Sequence, residues 1–375
     1  MTRMKIRLTA ALGLSAALML SACAANESTA PTADTPAATT SAAGASDAPA
    51  QEPISGTISG IGASAQEVAQ QTWIAGFQTA NEAVTVNYAA EGSGAGREAF
   101  IGGGADFAGS DRAFKIDELE ENSFGKCAAD SKAINLPVYI SPIAVIFNVE
   151  GVEELNLDAA TLAGIFKGDI TNWNDQAIAA TNEGVTLPDL TITAVHRSDT
   201  SGTTENFTDY LASAAPDVWD AEKSGDWPYQ TGEGAGQTQG VVAAVSGGVG
   251  AIGYVDASQA EQFSVAKLGK DGSFHGPTTE SAAAIVENSP VEEGRADNDM
   301  AIALDREAEG YPIVLVSYLI TCQDYEDDAV ADLVKSYASY IVSDEGQSAA
   351  AERAGSAPLS ASLSETVQAA IDSIQ

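Results

Sequence analysis

The stretch that decides the fold is residues 56–79, which read GTISGIGASAQEVAQQTWIAGFQT. A short β-prone run, Gly56–Ser59, leads into a turn of glycine, alanine and serine, and a helical pattern follows at once. The pattern predicts a helix over Ser64–Thr79 whose buried face is formed by Ala69, Trp73, Phe77 and Ala80. A strand that passes through a tight turn into a helix is the repeating unit of α/β proteins.

The same alternation continues along the chain. Further strands are predicted at Val84–Tyr88, Asp106–Ala108, Ile134–Tyr139, Ile143–Asn148, Leu190–His196, Ala251–Val255 and Ile313–Ile320. Helical spacing predicts another helix over Ala329–Ile341, and Ser362-Leu363-Ser364-Glu365 is typical of a capping box that opens a last helix. Together these patterns indicate an α/β fold with largely parallel sheets.

The composition restricts the partners. The chain has 375 residues, enough for two domains, and 17 basic against 53 acidic residues give a formal net charge of -36. Such acidity argues against nucleic acid and anionic membrane surfaces, and it repels an anionic ligand at long range. Any anion site must therefore act through short-range hydrogen bonds. Three cysteines without C-x-x-C spacing and two distant histidines do not suit a zinc site, so we expect no metal and no cofactor.

The first 22 residues are typical of a lipoprotein signal peptide. Basic residues precede an apolar run, Leu8 to Leu20, which is too short to span a bilayer stably, and Leu20-Ser21-Ala22-Cys23 resembles a bacterial lipobox. We expect cleavage before Cys23 and lipidation of its thiol. Residues 23–53 contain almost no large apolar side chains and predict a disordered tether. No later apolar run suits a second membrane span, so the rest is expected to be exported.

Four turns rich in glycine, serine and threonine follow predicted strands. Each is predicted to open a helix, where unpaired backbone N–H groups and hydroxyls suit an oxoanion. They are Gly60–Ala65, Glu91–Arg97, Ala108–Asp111 and Arg197–Thr204.

Each turn taken alone has an ordinary explanation. Ser64 begins a capping box, Gly92–Gly96 can be a plain loop, and Asp111 can be an exposed turn residue. Arg197 and Asp199 can form a surface ion pair of little energetic value. Gly60-x-Gly62-x-x-Ala65 also fits a dinucleotide fingerprint, but no acidic residue ends the next predicted strand at the required place. The four turns together are more informative than any one of them.

The same segments resemble the substrate-binding protein of the phosphate-specific ABC transporter. The similar stretches extend over nearly all of residues 54–375, and the most specific is Arg197-Ser198-Asp199-Thr200-Ser201-Gly202-Thr203. The others are Gly60–Ser64, Gly92–Gly96, Asp106–Asp111, Phe166–Asp175 and Gly250–Val255. Two positions depart from the family pattern: Ala65 replaces a common aromatic residue, and Thr200 replaces a common glycine.

The resemblance implies a two-lobed periplasmic-binding-protein fold, type II-like, with the ligand in a cleft between lobes joined by two crossing strands. We place the crossings near Leu136–Ser141 and Pro312–Ser317, so that lobe one comprises residues 54–138 and 314–375 and lobe two residues 139–313. It also implies the phosphate-binding residues Ser64, Ala65, Ser93, Asp111, Arg197, Ser201, Gly202 and Thr203. Asp199 is expected to orient the Arg197 side chain without contacting phosphate itself.

Asp111 is expected to decide which anion binds. A carboxylate beside an anion is repulsive unless a proton lies between them. Phosphate near neutral pH keeps a proton to donate, whereas sulfate has none. The lobe assignment also places Cys127 and Cys322 in the same lobe of an exported protein, and we expect them to form a disulfide.

The expected function is therefore extracytoplasmic capture of inorganic phosphate by a monomeric, lipid-anchored receptor that is not an enzyme. Its partners are phosphate, the membrane subunits of an ABC importer, and the membrane through the N-terminal lipid. Three alternatives stay open at this point: a receptor for sulfate, molybdate or another oxoanion, a secreted phosphoryl-transfer enzyme, and a structural surface lipoprotein. The enzyme would need a metal cluster or an activated nucleophile, and the sequence shows neither.

Overall fold

The computed structural model describes residues 54–270, 272–306 and 310–375, so the predicted signal peptide, Cys23 and the tether lie outside the described residues. Within the described residues the strands are β1 Gly56–Gly62, β2 Val84–Ala89, β3 Phe107–Ser110, β4 Ala133–Asn148, β5 Asn156–Leu157, β6 Thr193–Arg197, β7 Glu233–Ala235, β8 Ala251–Asp256, β9 Ser264–Val265, β10 Lys267–Lys270, β11 Ser273–His275 and β12 Val314–Cys322. The α-helices are α1 Glu67–Ala80, α2 Ser93–Ile101, α3 Ile116–Glu121, α4 Ala159–Lys167, α5 Gln176–Ala180, α6 Gly202–Ala214, α7 Gln237–Gly247, α8 Thr279–Glu287, α9 Asp328–Val342, α10 Asp344–Ala354 and α11 Ala361–Asp372.

Nine of these strands form one sheet in the order β2-β1-β3-β12-β4-β8-β6-β7, with β9 paired to β4 off this path. The pairs β1–β2, β1–β3, β6–β8 and β6–β7 are parallel. The pairs that involve β4 or β12 are antiparallel. The sheet therefore has two parallel parts, and the antiparallel strands β4 and β12 lie between them. This arrangement agrees with the α/β fold class and with two crossing strands.

The strands predicted at Ile134–Tyr139 and Ile143–Asn148 are in fact one strand, β4, which is almost wholly buried. The strand contains two prolines, which cannot donate a ladder hydrogen bond and must therefore lie where none is required. Pro142 is the last β4 residue that pairs with β12, and the next residue, Ile143, begins the pairing with β8. Pro137 borders a register shift opposite Ser317 and Tyr318. The predicted lobe boundary at residues 138/139 thus lies inside β4, and the exact lobe boundaries stay a prediction.

Helices cover both parts of the sheet. α1, α2, α9, α10 and α11 pack on or near the β1–β3 part, whereas α7 packs on β6 and β8. The predicted helix at Ser64 was placed too early, because Ser64–Gln66 form a 3₁₀ turn and α1 begins at Glu67. The Ser64 hydroxyl contacts Thr238. The predicted capping box at Ser362 was also wrong, by two residues. Ser360 caps α11, and its hydroxyl oxygen accepts a hydrogen bond from the Leu363 N–H at 3.3 Å.

Cys127 and Cys322 form a disulfide with a Cα–Cα distance of 5.3 Å, which confirms the predicted pairing. Cys322 is the last residue of β12, and the loop before β4 that carries Cys127 forms a bridge to Tyr325. The bond joins residues 195 positions apart. It therefore fixes the end of a central strand to a loop far away in the chain. Among the helices of the described part, none is long and apolar enough to cross a membrane.

Removal of the disulfide should lower the stability of the folded chain. We expect the Cys127→Ala/Cys322→Ala variant to lose roughly 2–5 kcal/mol of unfolding free energy, because a long loop in the unfolded chain is no longer closed. Urea unfolding followed by circular dichroism measures the shift of the midpoint. A reductant should lower the midpoint of the wild type and leave that of the variant unchanged. An equal midpoint for both proteins without reductant contradicts the prediction.

Candidate functional site

Asp111 follows β3 directly and is 3% exposed, so it is not the exposed turn residue that its segment alone allowed. Its carboxylate accepts hydrogen bonds from two hydroxyls on different parts of the chain. Ser317 Oγ donates to Oδ1 at 2.6 Å, and Thr203 Oγ1 donates to Oδ2 at 2.9 Å. Burial raises the pKa of Asp111, and these two hydroxyls and the charge of Arg197 act in the opposite direction. Each described side-chain contact to the carboxylate oxygens therefore favours its ionised form.

A chain of buried side chains sets the direction of the Ser317 hydroxyl. Tyr337 donates to Gln70 Oε1 at 2.8 Å, and Gln70 Nε2 donates to Gln66 Oε1 at 2.8 Å. Gln66 Nε2 then donates to Ser317 Oγ at 2.6 Å. Because Ser317 Oγ accepts a hydrogen bond from Gln66, its own O–H group is directed to Asp111 as a donor. The register shift at Ser317 and Tyr318 of β12 occurs at this point, and such irregularities re-aim a side chain next to a site.

Arg197 ends β6 and forms an ion pair with Asp199 in which the Arg197 side chain is 3% exposed and the Asp199 side chain 25% exposed. The cation is therefore buried, unlike that of a surface ion pair. Arg197 Nε donates to Asp199 Oδ1 at 2.8 Å, and a terminal guanidinium nitrogen contacts Oδ2. Burial acts to raise the pKa of Asp199, but the hydrogen bonds and charge of Arg197 outweigh it and hold that pKa below its usual value. The pair agrees with the expected orientation of Arg197 by Asp199.

The first turn of α2 meets the loop before α6. Gly94 N–H donates to the Thr200 carbonyl at 3.0 Å, and Asn206 Nδ2 donates to the Asp111 carbonyl at 2.8 Å. A β-carbon at Gly202 would lie 2.7 Å from Ser93 Oγ and Asp111 Cβ, so only glycine permits this approach. The N-termini of α2 and α6 therefore point into the same small space beside Asp111, and both leave backbone N–H groups for an anion.

The other predicted binding residues lie in or directly before the first turns of α2 and α6 and in the 3₁₀ turn before α1. Ser93 Oγ accepts from the Asp111 N–H at 3.1 Å, and Ser201 caps α6 by accepting from the Thr204 N–H at 3.2 Å. Ser64 and Ala65 lie in the 3₁₀ turn that precedes α1, where Ser64 contacts Thr238. The predicted turn at Ala108–Asp111 does not open a helix, because α3 begins at Ile116. Its contribution to the site is the Asp111 side chain.

The departure at Thr200 is accommodated. Among the described residues other than glycine, only Asp130 and Gln237 have a positive φ, so Thr200 keeps an ordinary backbone conformation. Its carbonyl accepts from Gly94, and its hydroxyl donates to Asp226 at 2.6 Å.

Three residues that contact the site were not found from the sequence: Gln66, Thr238 and Ser317. Ser317 lies in the apolar run of β12, where its alternation with Val316 and Tyr318 gave no sign of a polar role. Thr238 opens α7, and the glycine-rich segment before it, residues 232–236, resembles the turns that were singled out. That segment is the signal that could have identified Thr238.

This space offers several neutral donors, the positive charge of Arg197 and the Asp111 carboxylate as an acceptor. Hydroxyls and helix N-terminal N–H groups can donate hydrogen bonds to an anion, and Arg197 supplies positive charge. The Asp111 carboxylate can accept a hydrogen bond from a protonated oxygen of the anion. Among the described residues, no group of three or more His, Cys, Asp and Glu side chains is arranged to hold a metal ion. The arrangement suits recognition of a protonated oxoanion through short hydrogen bonds.

Comparison with known proteins agrees with this geometry. Residues 47–345 match the family model described as a PBP superfamily domain. The chain is 37% identical over 290 residues to the phosphate-binding protein PstS3 of Mycobacterium bovis, covering 75% of this chain and 77% of the relative. It is 33% identical over 326 residues to PstS 2 of Mycobacterium tuberculosis, covering 84% of this chain and 86% of the relative.

Solved structures show the same fold. A high-affinity periplasmic phosphate-binding protein, PfluDING, bound with phosphate, superposes with a TM-score of 0.70 at 24% identity, over 84% of this chain and 93% of that one. A phosphate-binding protein from Stenotrophomonas maltophilia gives a TM-score of 0.68 at 20% identity, over 84% and 93% of the two chains. The chain therefore has the two-lobed fold and belongs to the PBP superfamily and, within it, to the family of the PstS phosphate-binding proteins.

Proposed function

We propose that the protein captures inorganic phosphate outside the cytoplasm and delivers it to an ABC importer. The observation that carries this proposal is the buried Asp111 carboxylate, held as an acceptor by Ser317 and Thr203 beside two helix N-termini. Relatives at 33–37% identity are named phosphate-binding proteins. A binding role also fits a site built from neutral donors, which hold an anion without activating a nucleophile.

The Asp111 carboxylate favours the binding of phosphate over that of sulfate. Each of its two carboxylate oxygens accepts a hydrogen bond from one hydroxyl and retains a lone pair that can accept from a further donor. Phosphate can supply that proton, whereas sulfate would place a bare oxygen against the carboxylate. A site built around a hydrogen bond rejects an analogue that lacks the donor by about 10⁴–10⁵.

The remaining residues hold the other phosphate oxygens. Ser64, Ser93 and Ser201 contribute hydroxyls, and Ala65, Gly202 and Thr203 contribute N–H groups. The Thr203 hydroxyl is already used as a donor to Asp111. Arg197, oriented by Asp199, supplies the positive charge. Because most of the bound charge is spread over dipoles, a protein of net charge -36 can still hold an anion at short range.

Closure of the lobes is the proposed signal to the importer. Contacts from the β1–β3 part of the molecule to the part that carries α6 cross the cleft at Asp111–Thr203, Gly94–Thr200 and Arg112–Glu205, the last an ion pair of 2.9 Å. A ligand held by both lobes favours this closed form. Membrane subunits that recognise the closed form would receive phosphate from it.

The anchor is proposed from the sequence alone. Cys23 follows an apolar run and a small-residue cleavage pattern, which supports a lipoprotein held at the outer face of the cytoplasmic membrane by lipidation. The acidic chain itself gives no electrostatic attraction to anionic lipid.

Calorimetric titration of the full-length protein tests the function. Ligand is first removed by unfolding and refolding in detergent. We expect one phosphate to bind tightly for each chain and sulfate to give no heat. Equal binding of sulfate would favour the general oxoanion receptor. If refolded protein gives no heat with either anion, the proposal is wrong. The secreted phosphoryl-transfer enzyme and the structural surface lipoprotein would then be the alternatives to test.

Asp111→Asn should relax the choice between the two anions. An amide can donate to a sulfate oxygen, so we expect the ratio of sulfate to phosphate dissociation constants to fall at least tenfold from about 10⁴–10⁵. Competition titration measures the ratio. Asp217→Asn removes one exposed carboxylate away from the site and serves as the control for net charge. A variant that still ignores sulfate shows that Asp111 does not carry the discrimination.

Cys23→Ser should release the protein from the membrane. Without the thiol no thioether-linked lipid can form, so we expect the variant to leave the membrane fraction while wild-type protein stays there. Fractionation with immunoblotting measures this, and intact mass reports the lipid. Retention of the variant in washed membranes would refute the anchor and leave the phosphate proposal intact.

A further inference from the structure

The first turn of α7 has a strained backbone beside the site. Gln237 has φ +59, a conformation that costs a residue other than glycine of order 1 kcal/mol. Its side chain is exposed, so burial of that side chain does not explain the strain. The conformation instead directs two consecutive groups inward. The Gln237 N–H donates to Asp199 Oδ1 at 2.9 Å, and Thr238, which is 2% exposed, faces Ser64.

Thr238 contacts Ser64 in two ways across the cleft. The Thr238 N–H donates to Ser64 Oγ at 3.1 Å, and the two hydroxyl oxygens lie 2.9 Å apart, an arrangement in which either can donate. α7 packs on β6 and β8, whereas Ser64 follows β1. The contact therefore joins the two parallel parts of the sheet at a predicted phosphate ligand.

The hydrogen-bonding capacity of a hydroxyl gives this contact a consequence. A serine hydroxyl has two acceptor lone pairs and one proton. If Thr238 donates both its N–H and its O–H to Ser64 Oγ, both lone pairs are used and the Ser64 proton is left for an anion. If Ser64 donates to Thr238 instead, its proton is no longer directed at the ligand. An anion beside Ser64 favours the first arrangement.

We propose that the first turn of α7 is a positioning element of the phosphate site, in which Thr238 directs the Ser64 proton to the ligand. The same turn holds Asp199 and hence Arg197 through the Gln237 N–H. One strained turn thereby sets a donor from one lobe and the cation of the other. Thr238 is thus a positioning residue, and the inference rests on phosphate being the ligand.

Substitutions at Thr238 isolate the hydroxyl. Thr238→Val keeps the shape and the backbone N–H but removes the O–H, and we expect phosphate to bind about threefold to tenfold more weakly. Thr238→Ser restores the O–H and should bind within about twofold of wild type. Thr321→Val is the matched control, because Thr321 is fully buried and its hydroxyl has no described hydrogen-bond partner. Calorimetry on the full-length protein gives the affinities, and thermal melting without phosphate confirms that each variant is folded.

A double-mutant cycle with Ser64→Ala separates positioning from mere support of the fold. If Thr238 acts through the Ser64 proton, Thr238→Val should change phosphate affinity less than twofold in the Ser64→Ala background. A loss as large as in the wild-type background overturns the inference, and so does wild-type affinity in Thr238→Val itself. Wild-type protein that binds no phosphate would instead refute the proposed function, and this inference would fail with it.

Discussion

A buried carboxylate is the constraint on which the site depends. Asp111 lies at the meeting of both parts of the sheet, where an ionised group is costly unless donors surround it. Ser317 comes from the strand shared between the parts, and Thr203 comes from the helix on the other side of the cleft. Satisfying one side chain thus requires β3, β12 and α6 to adopt their native arrangement together. The requirement links the pairing of the sheet to the chemistry of the site.

The sequence was most informative where the chemistry is local. Glycines and hydroxyls that follow a strand act within a few residues, so the turns at Ser64, Ser93 and Arg197 could be singled out from the local sequence pattern. The resemblance to a known family added the expected binding roles, that of Asp111 included, and the lobe assignment on which the predicted disulfide depends. Helix starts were less well predicted, as Ser64 and Ser362 show, because a serine followed by a glutamate fits several neighbouring starting points.

What the sequence did not reveal depends on distant pairing. Ser317 reaches Asp111, 206 positions away in the chain, because the register of β12 shifts there. Thr238 meets Ser64 from 174 positions away in the chain. Neither partner can be chosen from local spacing. The continuity of β4 also depends on distant pairing, because the strand changes partners after Pro142 and Pro137 borders a register shift.

The undivided β4 also limits how this architecture can be taken apart. A cut between residues 138 and 139 would split a strand that pairs with β12 along one half and with β8 along the other. Each fragment would expose a row of unpaired backbone groups, the kind of edge that promotes aggregation. The lobes are therefore not interchangeable modules. Recombination between relatives, or insertion of a reporter domain, would be tolerated better in surface loops than at the boundary that two lobes suggest.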